Sequence, residues 1–153
     1  LQNRLEYCPI PLIAKDGTEI PVETRVTLGV WDGKQVLFGV SKDISTLKLS
    51  EEKFYKVFQN SASLIAITSK KDGRYLDVNQ TFCDVLGYQR EEVIGKNSKT
   101  LGLFKNYEDR AKIIAEMKVR GRVKNVEVEV LDKDQVTHIG LFSADSIYIG
   151  SDQ

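Results

Sequence analysis

Residues 73 to 96 read G-R-Y-L-D-V-N-Q-T-F-C-D-V-L-G-Y-Q-R-E-E-V-I-G-K, and the order of signals in that stretch decides the fold. Asp72-Gly73 at its start is a hairpin turn pair, and Tyr75, Leu76 and Val78 make a short strand. Asn79 stands where an N-cap side chain accepts hydrogen bonds from the first free amides of a helix. Phe82, Val85 and Leu86 give that helix an apolar stripe. Gly87 can take the left-handed conformation that ends it, with Tyr88 packing back over the last turn. A second short helix follows over E-E-V-I-G-K.

Working outward, Leu64 to Ile67 form the preceding strand, and Gly95 to Phe104 is irregular. Tyr107 to Arg120 is a long helix whose core stripe is Ala111, Ile114 and Met117 with Ile113 beside it, stopped by Gly121. Val126, Val128 and Val130 alternate with Glu127 and Glu129 in the next strand, and residues 136–149 form the one after. K-D-G-T-E-I-P-V-E-T from Lys15 has a counterpart in K-D-Q-V-T-H-I-G-L-F from Lys133, 118 residues on. That spacing is one domain length, so the chain carries a repeat. Residues 19–31 alternate as a half-buried strand, with Ile20, Val22, Val26, Leu28 and Val30 on one face, and residues 36–44 add another. Between the copies lies a helix with Ser50 as N-cap and Glu51-Glu52 at its positive end. Ile44, Leu47, Phe54 and Phe58 form its apolar seam, either a relay along the helix or a simple amphipathic cap on a sheet.

Composition removes several function classes. Twenty-two basic and 22 acidic residues balance, leaving no electrostatic footprint for nucleic acid. No apolar run approaches the roughly 20 residues that span a bilayer, and no signal-peptide pattern opens the chain. Cys8 and Cys83 lie far apart with no metal-ligand spacing, which points to reduced thiols and a cytoplasmic setting. G-x-S-x-G, H-E-x-x-H and a phosphate-cradling glycine loop are all missing, and one histidine cannot fill several catalytic roles. The chain reads as non-catalytic.

The 73–96 string resembles the first half of a PAS domain, the sensory fold of many bacterial and archaeal signalling proteins, and Asp43-Ile44-Ser45 is similar to the Asp-Ile-Thr on which such domains close. By that resemblance residues 1–45 are the C-terminal half of a first PAS domain, 46–60 a linker helix, and 61–153 a second PAS domain lacking its last strand. The implied fold is α+β, a five-stranded antiparallel sheet with helices on one face, plus the C-terminal strands of the preceding repeat. The implied role is a sensory module of a two-component sensor histidine kinase, relaying ligand or interface changes through the linker helix. The alternative is a ligand-free dimerisation module. The pocket would be lined by Ile65, Ile67, Phe82, Leu86, Ile94, Leu101, Phe104, Ile114, Met117, Val128, His138 and Phe142. Signal relay and interface would fall to Asp43, Ile44, Leu47, Phe54, Phe58, Ile139 and Leu141.

Haem-binding relatives ligate iron with a histidine on the long helix, where residues 107–120 have none. Flavin photoreceptors carry G-x-N-C-R-F-L where this chain has G-K-N-S-K-T-L, so Ser98 replaces the reactive thiol and Lys99 the phosphate-holding arginine. No cofactor is expected. The large pocket side chains favour an empty or small-ligand pocket, with His138 as its main polar group. The resemblance also implies a Glu92–Lys133 ion pair across the pocket mouth. Ile139, Leu141, Ile147 and Ile149 would face outward as an apolar patch covered by residues 47–58 of the same chain or of a partner. Finally, a PAS sheet sets its last strand between the first and the penultimate ones. Val36 to Val40 would fill that place beside Leu64 to Thr68, within one chain or by exchange in a homodimer.

Overall fold

Short polar turns and alternating apolar side chains dictate most elements. The computed structural model describes residues 6–8 and 10–148, and for 6–8 the backbone alone. The chain falls into two compact units, Leu1–Val57 and Phe58–Gln153. In the first, β1 (Glu6–Cys8), β2 (Leu12–Ile13), β3 (Glu19–Ile20), β4 (Val22–Trp31) and β5 (Lys34–Asp43) follow in order. A three-stranded antiparallel sheet runs β1-β4-β5, and β2 pairs with β3. Trp31 pairs with Lys34 across Asp32 and Gly33, both at positive φ. This two-residue Asp-Gly loop matches the right-handed twist of its flanking strands.

The alternation read in residues 19–31 is present, yet the burial is not. Val22 is buried and Val26 half-buried, while Leu28 and Val30 are exposed. Among the described residues of this unit no helix or second sheet packs over that part of the ribbon, and a two- or three-stranded ribbon alone cannot bury its face.

The linker helix α1 (Ser45–Gln59) starts five residues before the expected Ser50. The Asp43 carboxylate accepts from the Ser45 amide at 2.8 Å, and the Ile44 amide donates to the Pro21 carbonyl. A capping acid two residues ahead of the helix therefore overrides the serine inside it.

The second unit contains β6 (Ala66–Thr68), β7 (Tyr75–Val78), α2 (Gln80–Leu86), α3 (Arg90–Val93), α4 (Tyr107–Arg120), β8 (Arg122–Leu131) and β9 (Thr137–Asp145). β6 pairs with β7 and β8 with β9, both antiparallel. Among the described residues these are two separate two-stranded ladders. The first strand begins two residues later than expected.

Gly87 (φ 72) and Gly121 (φ 71) end α2 and α4 in the left-handed region, their amides donating to the Cys83 and Met117 carbonyls. On α4 the buried residue is Ile113, with Ile114 and Met117 half-buried and Ala111 exposed. The core stripe is thus rotated one residue from the expected one, because β8 passes under the Ile113 side of the helix: Ile113 packs in one cluster with Val123 and Val128. A second cluster joins Tyr75, Val78, Phe82, Leu86, Val93 and Leu103. Phe104 and Val130 pack against both clusters.

At Gly121 a methyl group would meet no atom within 4 Å, so only backbone strain opposes it. Gly121→Ala should cost about 1–2 kcal/mol by urea unfolding, the penalty for an L-residue in the left-handed region.

Candidate functional site

Asn79 is the organising polar group of the second unit. It is completely buried, and a buried amide is tolerated only when its hydrogen bonds are made. Its Oδ1 accepts from the Phe82 amide at 3.1 Å, the capping bond read from the sequence, and also from the Ile65 amide at 2.9 Å. Its Nδ2 donates to the Phe58 carbonyl at 3.1 Å and the Ser63 carbonyl at 2.9 Å, with Ser61 at 3.5 Å. One side chain therefore ties the end of α1, the approach to β6 and the start of α2. The Gln80 amide donates to the Gln59 side chain, and the Thr81 hydroxyl to the Ser61 carbonyl at 2.6 Å.

Beside this clamp, the Tyr75 and Phe82 rings pack at a 5.6 Å centroid separation. Burial pushes the Tyr75 phenol up to about 12; the charge of Arg110 works against that rise and Tyr107 adds to it. Arg110 Nε donates to the Ser98 hydroxyl, and its guanidinium lies 5.9 Å from the Phe104 ring centroid. Tyr107 donates from its hydroxyl to the Ser98 carbonyl at 3.0 Å. Ser98 is buried. The hydroxyl at the photoreceptor-thiol position is thus engaged as an acceptor. The sequence reading found Ser98 but missed Arg110 and Tyr107, whose contact with it depends on how α4 folds back.

Between α3 and the turn before β9, Lys133 Nζ reaches both Glu92 oxygens at 2.8 and 2.9 Å, the ion pair implied by the resemblance. Lys133 also lies 5.9 Å from the Tyr88 ring centroid, and its amide donates to the Leu86 carbonyl. The Lys133 hydrogen bond holds the Glu92 carboxyl below its usual range. The pair is exposed, so its value is orientation of the 131–136 turn more than stability.

The expected lining divides between two places. Phe82, Leu86, Ile94, Leu101 and Phe104 come together around Val93, and Phe104, Met117, Val128 and Phe142 come together around Ile113. Ile65, Ile67, Ile114 and His138 are half-buried and belong to neither cluster. His138 is engaged by a carboxylate. Its Nε2 meets Asp132 Oδ2 at 2.9 Å, and this bond is the first cause holding the Asp132 carboxyl low. The two groups fasten the 132–136 turn to β9, a partnership six residues apart that alternation alone does not reveal.

Among the described residues no cluster of three metal-ligating side chains occurs, and no helix is long and apolar enough to cross a membrane. Of the relay and interface residues, Phe58 is buried, whereas Leu47, Phe54, Ile139 and Leu141 are exposed. On β9, Ile139 and Leu141 are each 69% exposed. Ile149 lies outside the described residues.

A small α+β unit with paired ladders, helices over them and a capped α2 at the centre defines a sensory-type domain. The chain matches the sequence model of the PAS domain over residues 62–152 and belongs to that family. A domain of the sensory box sensor histidine kinase/response regulator from Geobacter sulfurreducens shares the fold at TM-score 0.55 and 21% identity, covering 68% of this chain and 90% of that one. The PAS domain of an HTR-like protein from Haloarcula marismortui matches at TM-score 0.51 and 27% identity, covering 61% and 76%. No curated protein matches the chain.

Replacing Asn79 by alanine leaves up to four backbone groups without their partner, so Asn79→Ala should cost about 2–4 kcal/mol in urea unfolding. The buried phenol has an alkaline signature. Its folded pKa lies above the ordinary value of 10, so stability is intact below pH 10 and falls as pH rises from 10 towards 12. The slope is at most about 1.4 kcal/mol per pH unit. Tyr75→Phe should remove that loss, and in a 295 nm titration of the six tyrosines Tyr75 should ionise last.

Proposed function

We propose that this chain is the sensory part of a cytoplasmic two-component signalling protein, a sensor histidine kinase in which α1 carries the state of the PAS core to its neighbours. The observation that supports this most is the Asn79 clamp. The last turn of α1 hydrogen-bonds, through Phe58, to the same side chain that caps α2 and holds Ile65. At its other end α1 is held by Asp43 and by the Ile44–Pro21 bond. A helix fastened at both ends transmits a shift of either end, since its own backbone is stiff. The family membership supports the same reading, as does the likeness to a domain of the Geobacter sulfurreducens sensor histidine kinase/response regulator.

The cue would act beside the cluster of Phe82, Leu86, Val93 and Leu103, where Ser98, Arg110 and Tyr107 meet. These side chains offer two hydroxyls and a cation around Phe82, Leu101 and Phe104, a setting suited to a small ligand with one polar end. The second reading is a ligand-free interaction module. It is favoured by the way Phe82, Leu86, Ile94 and Leu101 already pack on one another.

A thermal-shift screen of small metabolites, followed by amide NMR, separates the two. A ligand of the sensory domain should raise the Tm and move the Phe58, Ser63 and Ile65 amide signals along with those of α2. Shifts confined to α2 and α4 would refute the relay, and a screen without any stabilising compound would favour the interaction module. Asn79→Asp keeps the acceptor but loses the donor, so it should uncouple the Phe58 and Ser63 signals from the ligand while preserving the α2 cap.

A further inference from the structure

We propose that the turn from α4 into β8 is a binding site for a phosphate monoester, held by Arg120, Arg122 and Lys124. The inference does not rest on the sensory reading.

Three observations carry it. First, residues 118–124 read K-V-R-G-R-V-K, four cations in seven residues with no acid among them. No other stretch of that length holds as many, so the charge balance of the whole chain fails at this one place. The helix end accounts for part of the excess. Lys118 and Arg120 lie in the last turn of α4, where the carbonyl end of a helix favours positive charge. Arg122 and Lys124 lie past Gly121 on β8, beyond the reach of that preference.

Second, these charges share a space. Glu116, Arg120, Arg122 and Lys124 line one open depression of about 470 Å³. Gly121, at φ 71, turns the chain from helix to strand. Val123 is buried, so its neighbours Arg122 and Lys124 both point to the exposed face of β8. The volume exceeds that of a phosphate group alone and falls among small-molecule sites, which run from about 300 to 1,000 Å³.

Third, the nearby carboxylates leave the positive charge uncompensated. Arg120 Nη1 donates to Glu116 Oε1 at 3.1 Å, whereas Arg122 and Lys124 make no ion pair among the described residues. Arg122 stands directly across the ladder from Asp145 and still does not bond to it. Three cations and one carboxylate leave two positive charges around the depression, and like charges held together repel. A phosphate monoester brings nearly two negative charges at neutral pH and three strong acceptor oxygens. Guanidinium forks grip such oxygens in pairs, and a lysine adds a point charge. A carboxylate ligand would bring one charge, which Glu116 already supplies to Arg120.

The test titrates the 153-residue chain with inorganic phosphate, with AMP and with acetate at constant ionic strength, followed by amide NMR. Both phosphates should move the Gly121, Arg122, Val123 and Lys124 signals, and acetate should not. Arg122→Gln with Lys124→Gln, both at exposed positions, should leave the circular dichroism unchanged and raise the Kd for AMP by at least about tenfold. Lys70→Gln with Lys71→Gln removes the same charge from an exposed stretch elsewhere and should leave that Kd within about twofold, since salt screens distant charges. Sedimentation with vesicles of phosphatidic acid, against phosphatidylcholine, identifies the source of the group. AMP shifts without sedimentation assign a free ester; sedimentation abolished by Arg122→Gln with Lys124→Gln assigns a lipid headgroup. The proposal is overturned if neither phosphate moves these signals and no vesicle binds, or if acetate reproduces the shifts. Equal weakening in the Lys70 and Lys71 variant would overturn it too, by showing attraction to net charge alone.

Discussion

A carboxamide buried without any exposure imposes a demand that the surrounding backbone must meet, and in this protein Asn79 is that group. Each of its bonds nets about 1 kcal/mol, but leaving any one unmade in the interior costs more than making it gains. The chain is therefore committed at four points at once: at Phe58, at Ser63, at Ile65 and at the first turn of α2. Moving the end of α1 without moving α2 would break bonds in a place water does not reach. The clamp ties the last residues of α1 to the first turn of α2 through one side chain.

Around this clamp the core is built in two parts. One gathers on Phe82, Leu86 and Val93, the other on Ile113, Val123 and Val128, and Phe104 and Val130 touch both. The Phe104–Val130 bridge and the Leu131 to Leu103 hydrogen bond sew the irregular stretch onto β8. Arg110, held by Ser98 and lying over Phe104, adds a polar seam beside that apolar one. Phe104 and Val130 are thus the side chains through which the two parts of the core touch.

Exposed ion pairs play a different part. Glu92–Lys133, Arg90–Asp77 and Lys105–Glu129 all lie at the surface, where each is worth little in stability and is screened by salt. Glu92 and Lys133 nevertheless join α3 to the turn before β9, so their geometry orients elements whose main stabilisation is apolar.

By itself the sequence determined the features that depend on a few neighbouring residues. The Asp72-Gly73 turn, the Asn79 cap on Phe82, the glycine stops at Gly87 and Gly121, and the bounds of α4 were legible because a cap or a left-handed glycine acts within one turn of helix. The family also followed from the 73–96 string, since that string is a run of such local signals in one order. Tertiary structure alone decided the rest. Which residue of α4 faces inward was set by the passage of β8 under Ile113. His138 went to Asp132 because the 132–136 turn folds back beside β9. Asn79 gained its bonds to Phe58 and Ser63, and Ser98 its bond from Arg110, through approaches of 12 to 21 residues along the chain. Side-chain periodicity reports which face of an element is apolar; it carries no information about which distant backbone will arrive to meet it, and burial depends on that arrival.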